Sequence, residues 1–92
     1  MNGKKLTEKL VIKNKLGLHA RAAATLVRLT NQFISDISIE KDGQVVNGKS
    51  IMGVMMLAAA KGNEILVTAE GEDSDKAMES IKELIENKFW EE

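Results

Sequence analysis

Ninety-two residues with no cysteine and a single histidine offer no disulfide, no thiolate metal site and no imidazole cluster, so neither a metal nor any other cofactor is expected. Thirteen basic residues against fourteen acidic ones give a net charge of −1 with only three aromatics, which argues against a basic, ring-lined nucleic-acid face. The longest nonpolar run, 51–60, is far shorter than the roughly 20 residues that span a bilayer, so no membrane segment is expected.

Met1-Asn2-Gly3-Lys4-Lys5 leads into polar sequence and not into a secretory signal, so a cytosolic protein is expected. Length and the lack of repeats or linkers predict one domain over 1–92, burying about 60–65% of its unfolded surface. Leu6 to Lys13 alternates, with Leu6, Leu10 and Ile12 on one face and Thr7, Lys9 and Lys13 on the other, the pattern of a half-buried strand that Glu8 and Val11 blur. A helix is predicted from Ala20 to Phe33, with Ala22, Leu26, Leu29 and Phe33 on its apolar stripe, widened by Ala23 and Thr30. Arg21, Thr25, Arg28 and Gln32 line the opposite face.

Ile34 to Lys41 reads as a strand through Ile37 and Ile39, and Asp42-Gly43 supplies a hairpin turn into a second strand, Gln44 to Asn47. Ser50 is placed to cap a short helix beginning at Ile51. Its run Ile51-Met52-Gly53-Val54-Met55-Met56-Leu57 is too apolar for one buried stripe, so part of it is expected at the surface, where flexible methionines suit contact with several partners. A fully buried helix is the alternative. Lys61-Gly62-Asn63 ends it, and Glu64 to Glu70 alternates through Ile65, Val67 and Ala69. A last helix follows Gly71-Glu72-Asp73-Ser74, its stripe running from Ala77 and Met78 through Ile81, Leu84 and Ile85 to Phe89, with Phe89-Trp90 packing that helix. The order β-α-β-β-α-β-α predicts an α+β open-faced sandwich, a four-stranded antiparallel sheet covered on one face by three helices.

His19 stands where the glycine-containing turn of Lys15-Leu16-Gly17-Leu18 meets the alanine-rich helix. A helix start exposes unpaired N–H groups and a partial positive charge, a natural seat for an anion, and an unprotonated ring nitrogen there would be a nucleophile placed to carry phosphate. Arg21 adds a guanidinium fork that matches phosphate oxygens, although an ordinary solvated helix arginine would look the same. Arg28 shares that face and suits an acidic partner surface or plain solvent.

Gly17-Leu18-His19-Ala20-Arg21, followed about thirty residues later by Lys49-Ser50-Ile51-Met52-Gly53-Val54-Met55, resembles the HPr family, the histidine-containing phosphocarriers of the bacterial phosphotransferase system. The resemblance implies that His19 takes a phosphoryl group, through Nδ1, from phosphorylated Enzyme I, which phosphoenolpyruvate charges. His19 then passes the group to Enzyme IIA domains in sugar uptake. It implies further that Arg21 stabilises the phosphohistidine and that Ser50 is the serine modified by an HPr kinase/phosphorylase. It also implies a monomeric carrier and not an enzyme in its own right. Ala20, Ala24, Arg28, Ile51, Met52 and Met55 form the expected partner surface. Ala22 stands where the family usually has proline, and Met56 and Ala58 where serine and glycine are typical, so a nitrogen-related branch stays open beside sugar uptake.

Overall fold

A computed structural model describes residues 3–91 of the chain. Four strands, β1 (Lys4–Val11), β2 (Asp36–Lys41), β3 (Gln44–Asn47) and β4 (Glu64–Gly71), form one antiparallel sheet in the order β1-β4-β2-β3. Three helices, α1 (Ala20–Thr30), α2 (Ile51–Met56) and α3 (Ser74–Glu86), cover one face of it, as the sequence pattern predicts. No helix among the described residues is long and apolar enough to cross a membrane.

Register follows from side-chain parity, because alternate residues of a strand face opposite sides of the sheet. Leu6 pairs with Ala69 and Ala69 with Ile37, while Val67 pairs with Ile39 and Leu10 with Ile65, which sets an apolar row across the helix-covered side. One residue along, Thr7, Thr68 and Ser38 form a polar row on the open face, and the two threonine hydroxyls lie 3.2 Å apart. Glu8, which interrupts the apolar parity of β1, is matched by Lys82 of α3, whose ammonium reaches its carboxylate at 3.0 Å. At the β2–β3 turn Asp42 and Gly43 both take positive φ, 51° and 85°, the backbone that a two-residue antiparallel hairpin requires.

Beneath the sheet, Ile39 and Val67 meet Leu26 of α1, Val54 of α2 and Ile81 and Ile85 of α3, all fully buried. Burying a side chain of this size contributes about 1.5–3 kcal/mol.

Several boundaries differ from the sequence pattern: β2 begins at Asp36 and not at Ile34, and α2 ends at Met56, ahead of the Lys61-Gly62-Asn63 turn. β1 begins at Lys4, and Ile12 instead exchanges hydrogen bonds with the 62–63 turn: its amide donates to Asn63 and its carbonyl accepts from Gly62. α1 stops at Thr30, not Phe33. The hydroxyl of Thr30 donates to the Gly48 carbonyl at 2.7 Å, the Asn31 amide group donates back to Val27, and the amides of Gln32 and Phe33 make tighter three-residue bonds. Phe33 still packs against the core from that turn.

α3 ends at Glu86, so Phe89 does not extend its stripe. Lys88, Phe89 and Trp90 instead form a short turn in which all three take positive φ, 56°, 57° and 58°. Residues with a Cβ resist this conformation by roughly 1–2 kcal/mol each. The turn buries Phe89 from outside the helix and leaves Trp90 67% exposed, so Trp90 does not pack the core.

Candidate functional site

The entry to α1 is fixed by backbone before any side chain is considered. Gly17 has φ of +67°, and a Cβ there would lie 2.3 Å from the Ala59 carbonyl oxygen, so only glycine fits. The next residue, Leu18, is buried and donates its amide to that same carbonyl at 2.8 Å. His19 follows in extended conformation as the residue preceding the helix, and its carbonyl accepts the first helical bond, from Ala23. The amides of Ala20, Arg21 and Ala22 therefore precede the ladder, and the His19 side chain makes no capping bond to them.

The imidazole is neither sealed nor fully solvated, at 28% exposure. Its Nε2 lies 3.0 Å from Oε2 of Glu91, while Nδ1 makes no hydrogen bond to any described residue. Glu91 is held on its other oxygen as well, because Nδ2 of the buried Asn14 donates to Oε1 at 3.2 Å and to the Gly17 carbonyl at 2.7 Å. Around the ring, Lys15, Leu16, His19, Arg21 and Glu91 line an open depression of about 220 Å³. His19 and Arg21 therefore border one concavity.

Ser50 belongs to a different place. Its Oγ accepts from the Gly53 amide at 3.0 Å and caps α2, as the sequence pattern predicts. The C-terminal end of α1 meets the start of α2 through Thr30 to Gly48 and through the Lys49 ammonium on the Phe33 carbonyl, whereas the exit of α2 meets the start of α1 through Leu18 and Ala59. The two helices are thus antiparallel, and Ser50 lies at the opposite end of α1 from His19, about 16 Å along an eleven-residue helix.

α2 resolves the ambiguity of its apolar run. Val54 and Leu57 are buried, while Ile51, Met52, Met55 and Met56 are exposed, Met52 by 76%. Ala20, Arg21 and Arg28 of α1 are exposed and Ala24 is half-buried. Among the described residues Arg28 approaches the Thr25 hydroxyl, at 3.5 Å.

Several residues around the ring carried no sequence signal. Asn14 and Glu91 lie 77 positions apart in no shared motif, and their meeting depends on the turn at 88–90. Leu16, 69% exposed beside His19, had a visible signal in being a leucine inside a polar glycine turn.

The family described as "PTS HPr component phosphorylation site" matches residues 6–87, and the chain belongs to it. The phosphocarrier protein HPr of Xylella fastidiosa strain 9a5c is 50% identical over 86 residues, covering 94% of this chain and 97% of that protein. The crystal structure of HPr-C-His from Thermoanaerobacter tengcongensis is similar with a TM-score of 0.88 and 48% identity, covering 97% of this chain and 98% of the other. An HPr dimer from the same organism matches with a TM-score of 0.74 and 49% identity over 87% of this chain and 92% of the other.

Proposed function

We propose that this chain accepts a phosphoryl group on Nδ1 of His19 from phosphorylated Enzyme I and passes it to Enzyme IIA domains in sugar uptake. The observation that carries the reading is the uncapped start of α1, where a part-exposed imidazole shares an open depression with Arg21 and the first three amides of the helix lie outside its hydrogen-bond ladder. In the transfer the Nδ1 lone pair attacks phosphorus in line, and the bond from phosphorus to the donor breaks with its electron pair staying on the donor. Arg21 and the amides of residues 20–22 offset the charge on the phosphoryl oxygens. The carrier supplies position and charge, and its partners complete the reaction, so it is not an enzyme on its own.

Ile51, Met52 and Met55, with Ala20, Ala24 and Arg28, form the docking surface in this reading, an exposed apolar patch beside exposed cations. Ser50, at the far end of the same pair of helices, is the regulatory position for an HPr kinase/phosphorylase. A phosphate there would sit against the start of α2 and alter partner contacts through its charge, without unfolding the domain. The working unit is a monomer in the cytosol.

Incubation with Enzyme I of the same organism and phosphoenolpyruvate is expected to add one acid-labile phosphoryl group, seen as a single mass increment, to wild type and not to His19→Ala. An adduct that persists in His19→Ala overturns the assignment. An inert His19 together with an ATP-dependent, acid-stable mark on Ser50 would replace the carrier by a regulatory binding module.

A further inference from the structure

The geometry points to Glu91 as a positioning residue for His19, one that holds the imidazole with its hydrogen on Nε2 and its lone pair on Nδ1. This inference rests on the carrier reading above and adds the question of what orients the acceptor. An ionised carboxylate can only accept hydrogen bonds, so the nitrogen 3.0 Å from Glu91 Oε2 must be the one that carries the hydrogen. In the neutral ring the other nitrogen, Nδ1, then bears the lone pair. No described residue hydrogen-bonds to it, and the ring borders an open depression.

The carboxylate is itself held. Its second oxygen accepts from Nδ2 of the fully buried Asn14, which is anchored in turn on the Gly17 carbonyl of the helix-entry turn. Glu91 is only 15% exposed, and rotating its carboxylate away would break both contacts. The backbone that delivers it is costly, three consecutive residues in the left-handed region, and the exposed Trp90 gains nothing from that path. Strained backbone of this kind persists where surrounding contacts over-determine it, often at functional sites. Here those contacts include the burial of Phe89 and the two hydrogen bonds of Glu91.

A second effect accompanies the tautomer. As Nδ1 gives its lone pair to phosphorus, positive charge develops across a ring that keeps its Nε2 hydrogen, and the fixed carboxylate on that side offsets it. Glu91 lies beyond residues 6–87, the stretch that matches the family, so the family match does not account for this contact.

The test combines ring ¹⁵N NMR of labelled full-length protein, about two pH units above the ordinary histidine value of ~6.5, with the rate of phosphoryl uptake from phosphoramidate. This small donor needs no partner protein. Wild type is expected to show the Nε2–H tautomer. Glu91→Ala should populate both tautomers and take up phosphoryl about tenfold or more slowly, by analogy with the loss when the orienting partner of a metal-ligating histidine is removed. Glu91→Gln, whose amide oxygen still accepts, should keep the tautomer and recover part of the rate, which a purely structural role would not predict. Glu91→Ala with the wild-type tautomer, or with the wild-type rate, overturns the inference and leaves the carrier reading standing. A wild type whose His19 takes up no phosphoryl group overturns both.

Discussion

α1 and α2 begin at opposite ends of one antiparallel pair and finish their first turns differently. At α2 the residue before the helix is Ser50, and its hydroxyl turns back onto the Gly53 amide. At α1 the corresponding residue is His19, whose side chain makes no such bond and turns instead to Glu91. A helix start has several amides to satisfy, and one hydroxyl or carboxylate from the preceding residue is the usual means. The difference teaches that α1 forgoes a local stabilisation and leaves its first amides without that side-chain partner, as the carrier proposal requires, while α2 satisfies one of its amides internally.

The largest effect that tests this contrast is at position 19. His19→Ser and His19→Ala should both lose phosphoryl acceptance from Enzyme I and phosphoenolpyruvate, and both lose the Glu91 contact equally. Between those two variants, serine should be the more stable by about 1 kcal/mol in urea unfolding, because it restores the missing cap. Equal stabilities would mean that the amides of residues 20–22 are already satisfied and that the start of α1 is not open. The reciprocal change, Ser50→Ala, should cost about 1 kcal/mol by removing the only side-chain cap on α2.

Much of this contrast was readable before the fold. Ser50 as a cap, the Asp42-Gly43 hairpin and the alternation of Ile37 and Ile39 are local signals, decided by a residue and its near neighbours, and the structure keeps each of them. The early stop of α1 was not readable, because the Thr30 hydroxyl bonds the Gly48 carbonyl, eighteen positions on, and no periodicity encodes that bond. Glu91 was invisible for the same reason. Its approach to His19 spans 72 positions and depends on a left-handed turn that no glycine announces.

α3 supplies a third helix start and a third solution. Asp73 does not cap its own helix; its carboxylate accepts from the Ser35 hydroxyl and from the amides of Ile34 and Ser35, tying the loop before β2 to α3. The Ser35 hydroxyl first, and the two amides with it, hold the Asp73 carboxyl below its ordinary value of 3.8 against the opposing effect of burial. A depressed carboxyl contributes stability that is present above the unfolded-state value and is lost as pH falls through the folded one. Thermal midpoints measured from pH 6 downward should therefore fall more steeply for wild type than for Asp73→Asn. Parallel curves would show that this carboxylate does not contribute to acid sensitivity.

The smallest expected effect lies where the two contrasted helices meet. Ala58, just past α2, takes φ of +48° beside the carbonyl of Ala59 that receives the Leu18 amide. A Cβ in that backbone region costs roughly 1 kcal/mol relative to glycine. Glycine also frees the unfolded chain, which offsets about half of the relief. Ala58→Gly should therefore stabilise the protein by about 0.5 kcal/mol, a rise of roughly 2–4 °C in Tm for a domain of this size. A midpoint that falls would show that the entropy of the unfolded chain outweighs the strain at the exit of α2.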